Sequence, residues 1–259
     1  MKKALFLLVA VLTIVSMSAC RIEKVYDNKV PVKTYNLNLS GFSSLRNASD
    51  CDVHFTQSDA YKVTLRASQR WYDNHIISVD NGTLVISTKG FKKLGGVSVI
   101  NMSNYDNEAE IWVSAPVIND VSMSGSGDFT LDSDFTGKSL NMDVRGSSDA
   151  KLRNVTLSGD FTYTVSGSGD VEIGTVKARG AKFSVFGSGD VDAKLVGVAN
   201  TGVEIHGSGD ADLKFSNCGN ADVTVMGSGD VELSGQLRTL SKQISGSGDV
   251  ETSKLRLGK

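Results

Sequence analysis

Proline occurs only twice in 259 residues, and histidine and cysteine three times each. With so few ligand-type side chains, and none of His54, His75 or His206 at metal-ligand spacing from another histidine or a cysteine, no metal centre is expected. Basic stripes interleaved with aromatic residues are missing too. With a formal net charge of −2, this gives no reason to expect nucleic acid or anionic lipid as a partner. Beyond the first twenty residues no apolar run approaches the roughly 20 residues that a membrane-spanning helix requires. No Gly-x-Ser-x-Gly elbow stands between a strand and a helix, so a hydrolase of that design is not expected. What the chain has instead is glycine (27 residues) with much Val, Ser, Thr and Asp, a mix that suits short strands and tight turns rather than a helical bundle.

Residues 1–19 read as a targeting segment: Lys2 and Lys3 precede an apolar run from Ala4 to Val15, and Met17-Ser18-Ala19 lead into Cys20. Small residues just before a cysteine resemble the lipobox of bacterial lipoproteins, which implies lipidation of Cys20, membrane attachment through that lipid and a tether over 20–31. A plain secretory signal cleaved near Ala19 is the rival. Arg21-Ile22-Glu23 carries no clear inner-membrane retention signal, so the expected location is the cell envelope at the outer membrane. Cys51 and Cys218 could pair in an oxidising envelope. Cys218, however, falls where the preceding repeat has Val198, so two buried free thiols are expected.

Self-similarity decides the architecture. Gly-Ser-Gly-Asp begins at Gly125, Gly167, Gly187, Gly207, Gly227 and Gly246, and the variant Gly146-Ser147-Ser148-Asp149 fills the gap. The closing aspartates are separated by 21, 21, 20, 20, 20 and 19 residues, a period that composition alone does not produce. Around each motif, alternate positions such as Phe161, Tyr163, Val165, Val171 and Ile173 are apolar and share one face of an extended chain. The motif glycines fall on that inward row, and Ser and Asp on the outward one. The fold class that follows is all-β: a single-stranded β-helix, or β-solenoid, with coils of about 20 residues and a β-rich N-terminal cap. Seven coils stacked at the inter-strand spacing give a rod roughly 35 Å long, with strand edges at its ends.

The expected organisation is a leader over 1–19, a lipidated tether over 20–31, a β-rich start or cap over 32–118 and the repeat array over 119–259. Within 32–118, the stretch from Val79 to Ile86 reads as a hairpin with an Asn81-Gly82 turn. Ile111 to Ala115 reads as a strand ended by Pro116, 91–107 as a loop or inserted hairpin, and Asp52 occupies the aspartate place of a degenerate motif.

Two outward rows carry the polar groups of the repeat. Ser126, Ser147, Ser168, Ser188, Ser208, Ser228 and Ser247 form one; Asp128, Asp149, Asp170, Asp190, Asp210, Asp230 and Asp249 form the other. They are expected to be structural, fixing each corner through bonds to nearby backbone N–H groups. A row of calcium sites is the alternative, but one acidic residue per motif falls short of the six to eight oxygens calcium takes. The residue before each motif varies, and Phe186, His206 and Met226 on consecutive coils form a candidate contact stripe.

The leader, the hairpin VDNGTLVI, the transition IWVSAPVINDVSMSGSGD and the serial motifs together resemble the auto-transporter adhesin head GIN domain family over most of 35–255. That resemblance implies a β-helical envelope protein and carries no catalytic residues or ligand with it. The function expected is a non-catalytic envelope lipoprotein with an adhesive or ligand-binding surface, its partner a glycan or an envelope or host protein. The alternatives are a scaffold that self-associates through its rod ends and, behind it, a carbohydrate-active enzyme.

Overall fold

One coil shows how the repeat becomes structure. Strand Gly180–Gly187 lies on a first face; the chain turns through Ser188, Gly189 and Asp190, and strand Val191–Val196 lies on a second. A second corner over 197–199 returns it to the first face at Asn200–Gly207, one coil further on. That corner needs a left-handed residue, supplied by Gly197 (φ 66°) and, in the next coil, by Asn217 (φ 53°), residue types that adopt this conformation at low cost. Each strand pairs in parallel with its equivalents one coil before and after: Gly180–Gly187 with Asp160–Gly167 and Asn200–Gly207, and Val191–Val196 with Val171–Lys177 and the start of Ala211–Gly227. The chain is thus a β-solenoid, represented here by a computed structural model that describes residues 31–89, 93–94, 97–98 and 109–258. The leader 1–19, Cys20, the tether apart from Pro31, and most of 91–107 lie outside the described residues.

In-register stacking puts like residues over like, so the alternation along each strand becomes rows in the core. Tyr163, Phe183, Val203 and Val223 form one buried row, and Val165, Val185, Ile205 and Val225 the next. Val171, Val191, Ala211 and Val231 face them from the second side. Branched and aromatic side chains that suit a pleated strand also fill the narrow interior.

The N-terminal part continues the stack, out of sequence order. Ser44–Ala48 and Asp52–Gln57 form a coil that pairs in parallel with Asp120–Gly125 and Phe129–Leu131. Outside it lies a coil made of Thr83–Thr88 and Glu110–Ala115. The edges are then closed by antiparallel strands. His75–Asp80 folds onto Thr83–Thr88 through the left-handed pair Asn81 and Gly82 (φ 46° and 77°), and Lys62–Ser68 covers Glu110–Ala115 and is itself covered by Val32–Leu37. The short helix Gln69–Asn74, capped by the Ser68 hydroxyl, links these edge strands and buries Trp71. Lys93–Leu94 and Val97–Ser98 pair as an inserted antiparallel ladder. At the opposite end, 239–246 pairs only with 220–227 among the described residues, and its interior row reads Leu240, Lys242, Ile244.

Candidate functional site

The Gly-Ser-Gly-Asp corners stack so closely that the backbone of one coil rests on the next. A Cβ on Gly189 would lie 2.2 Å from the carbonyl oxygen of Gly169, and one on Gly187 would lie 2.1 Å from that of Gly167. The second glycine of the motif is buried, as parity requires. The first lies at the margin of the core, and at Gly187 its φ of 143° is one that L side chains rarely adopt. The inward reading of both glycines is therefore correct for the second only; the first is there for its torsion and for the close approach.

The aspartates form a continuous hydrogen-bonded ladder. The backbone N–H of each donates to Oδ1 of the aspartate one coil earlier, from Asp128 onto Asp52 through to Asp249 onto Asp230, at 2.7–2.9 Å throughout. Asp52 is thus the first member, although 76 residues separate it from Asp128. The bond runs between coils rather than within a turn, and it occupies one oxygen of each carboxylate except the last. The serines behave differently. From Ser147 onward their backbone N–H groups bond the preceding coil, as Ser188 does to Gly167 O at 2.9 Å, but the exposed hydroxyls of the row bond no described residue. Only the aspartate half of the expected pair of rows holds the corner through its side chain.

Beside this ladder stands a second carboxylate row: Glu172, Asp192, Asp212, Glu232 and Glu251, each two residues after a motif aspartate and in register with the next. The estimate of one acid per coil is corrected to two over five consecutive coils. A groove of about 650 Å³ runs along the rows, reaching Asp128 at one end and Asp212 at the other. Burial first, then the like charges of Glu232 and Asp192, raises the Asp212 pKa from its ordinary value. Among the described residues no group of three or more His, Cys, Asp or Glu side chains could hold a metal ion.

All three histidines stack on aromatic rings. His54 lies 5.3 Å from Trp112, His75 3.7 Å from Trp71 and His206 4.9 Å from Phe186, centroid to centroid. Trp71 Nε1 also donates to Asp50 at 2.9 Å, and His75 Nδ1 lies 2.7 Å from Trp71 O. Burial lowers the His75 pKa. Cys51 and Cys218 are buried free thiols, and burial, followed by the charge of Asp52, raises the Cys51 pKa well above its usual value.

The variable residues before the motif come together as the register requires. Phe186, His206 and Met226 occupy neighbouring strands of the first face; Phe186 is 43% and Met226 45% exposed, with the His206 ring between them half-buried. On the same strands Lys182 reaches Glu204 at 2.9 Å, and the Ser184 hydroxyl donates to Glu204 at 3.3 Å. The lysine, the serine bond and the charge of His206 hold the Glu204 pKa below its usual value. Toward the other end of these strands is an open groove of about 490 Å³ over Lys182, Gly202 and Asp222, beside the bidentate Arg179–Asp160 pair. This groove was not anticipated from the sequence; a lone glycine at an outward strand position is the signal that could have found it.

The chain is thus a stacked-coil β-solenoid, a repeat scaffold in which each motif aspartate but the last bonds the backbone of the next coil through one oxygen, while the residues that depart from the repeat gather on one face. The family described as "Putative auto-transporter adhesin, head GIN domain" matches residues 41–217 and 200–259, and the chain belongs to it. A putative adhesin from Bacteroides fragilis superposes with a TM-score of 0.66 at 19% identity, over 85% of this chain and 96% of that one. A putative lipid binding protein from Parabacteroides distasonis gives 0.64 at 19% identity, over 86% and 97%. A putative adhesin from Parabacteroides merdae gives 0.61 at 15%, over 86% and 96%. At these identities the likeness carries the fold alone. No curated protein matches the chain.

Proposed function

We propose that this chain is a non-catalytic, lipid-anchored protein of the cell envelope whose solenoid displays a binding surface. One observation carries the reading: the repeated Asp row is consumed by inter-coil bonds, while the departures from the repeat, Phe186, His206 and Met226, gather on three adjacent strands. In a repeat scaffold, specificity belongs to what does not repeat. Family membership supports an adhesin-like role and a place in the envelope, and the sequence of the leader supports attachment through Cys20 at the outer membrane. The repeated motif serines offer no activated nucleophile, since no described base is bonded to their hydroxyls.

Glycan and protein arrays probed with the chain from residue 21 onward, which contains the whole described body, test this. Retention of a glycan or a protein, weakened by Phe186→Ala, is the expected result; silence on both with a normal melting transition would sink the reading.

A further inference from the structure

Gly202 is the one described glycine that neither its torsion nor its packing requires. It has no positive φ, and a Cβ there would meet only Lys182 Cγ, at an ordinary 3.7 Å. Every other described glycine has a left-handed φ, or would put a Cβ within 3.3 Å of a neighbouring atom. Glycine inside a strand weakens it, and where the backbone does not need one it often marks a place where a ligand approaches closely. Gly202 lies outward, between Lys182 and Asp222 of the flanking strands, on the floor of the groove of about 490 Å³. Further along the same strand come Glu204 and then His206, which is stacked on Phe186. The one dispensable glycine and the Phe186–His206–Met226 stripe thus share three strands of one face.

Resting on the display reading above, and naming its ligand, we propose that this face binds a neutral glycan chain laid along the strand from Gly202 to His206. Arg179 is paired with Asp160 and Lys182 with Glu204, which leaves the negative charge of Asp222 uncancelled along this path, so an anionic chain is disfavoured. Interleaved acceptors and donors suit hydroxyl groups, which both donate and accept, and the Asn200 amide, whose Oδ1 accepts from Asn220, adds N–H donors. The bare backbone at Gly202 lets a flat ring lie against the sheet. Four residues further on, about 13 Å along an extended strand, the Phe186 and His206 rings offer π surface to the apolar C–H face of another sugar. That span suits an oligosaccharide rather than a single ring.

The test is Gly202→Val in the chain from residue 21 onward, because valine favours a strand and has room for its Cβ. Its melting temperature should equal or exceed that of the wild type, while its affinity for the best neutral oligosaccharide on a glycan array falls at least tenfold. Phe186→Ala should weaken the same sugar, and Lys194→Ala on the opposite face should not. Unchanged binding by a folded Gly202→Val variant would overturn the site. Wild-type binding to protein probes, or to phosphatidylethanolamine–phosphatidylglycerol vesicles, with no glycan retained would overturn the ligand class and leave the display reading standing; silence on every probe would remove both.

Discussion

A single carboxylate shows what the repeat is for. Asp190 accepts the backbone N–H of Asp210 on one side, and its own N–H donates to Asp170 on the other, each at 2.8 Å. Removing the side chain strands one N–H in a corner too tight for easy rearrangement. Asp190→Ala is therefore expected to cost about 1.5–3 kcal/mol, the range for a hydrogen bond to a charged group. Ser188→Ala, two positions earlier in the same motif, should stay within about 0.5 kcal/mol, because its hydroxyl has no described partner. Urea denaturation of the two variants separates them; equal losses would mean the serine row also holds the corner. Sequence alone does not tell these residues apart. Both recur once per coil, and a bond to a residue about 20 positions away leaves the same periodic trace as a bond within the turn. The second acidic row was readable as an acid two places after the motif. It lies outside the four-residue motif and mixes Glu with Asp, so it does not recur as an identical residue.

Within the elements, the N-terminal cap departs furthest from the repeat. The hairpin through Asn81 and Gly82 was legible, because only a primed turn explains that pair between apolar alternations. So was Asp52, from its place in a degenerate motif. The antiparallel placement of Lys62–Ser68 outside Glu110–Ala115 was not, since alternation fixes which face a strand buries but not its neighbour. The helix Gln69–Asn74 was also missed. It is short, and it depends on the Ser68 cap and on burial of Trp71 rather than on any periodic pattern. That helix gives the cap a pH response through His75. Unfolded, the imidazole takes up a proton near pH 6.5; folded, it resists to lower pH because it is buried. Its contribution is full above pH 6.5, falls as the pH drops below that value, and stops falling once the folded group is itself protonated. Asp50 opposes the shift and Lys89 adds to it. His75→Gln should flatten the fall in melting temperature between pH 7 and pH 5, followed by Trp71 fluorescence; an unchanged slope would assign the loss to other groups.

Over the whole molecule, the ends of the stack decide whether it stays single. Antiparallel strands cover the N-terminal edge. At the other end, Lys242 takes the interior-row place that Val223 holds one coil earlier, and its ammonium reaches Val250 O at 3.4 Å. An inward-pointing charge on an edge strand discourages a second molecule from pairing there. This runs against self-association through that end. Lys242→Val would join Leu240 and the exposed Ile244 into an apolar row, and light scattering should then show concentration-dependent oligomers where the wild type stays monomeric. A wild type that already oligomerises would reverse this assignment.

The aspartate ladder also gives the molecule a polarity. Every rung from Asp128 onward donates its N–H to the carboxylate one coil nearer the cap, in a row that begins at Asp52. A chain that leaves its point of synthesis N-terminus first presents its coils in that same order, apart from the 76-residue detour between the first two rungs. Shortening the array from its far end leaves every remaining ladder N–H satisfied. Removing the template coil leaves the Asp128 N–H without its acceptor at the start of the row.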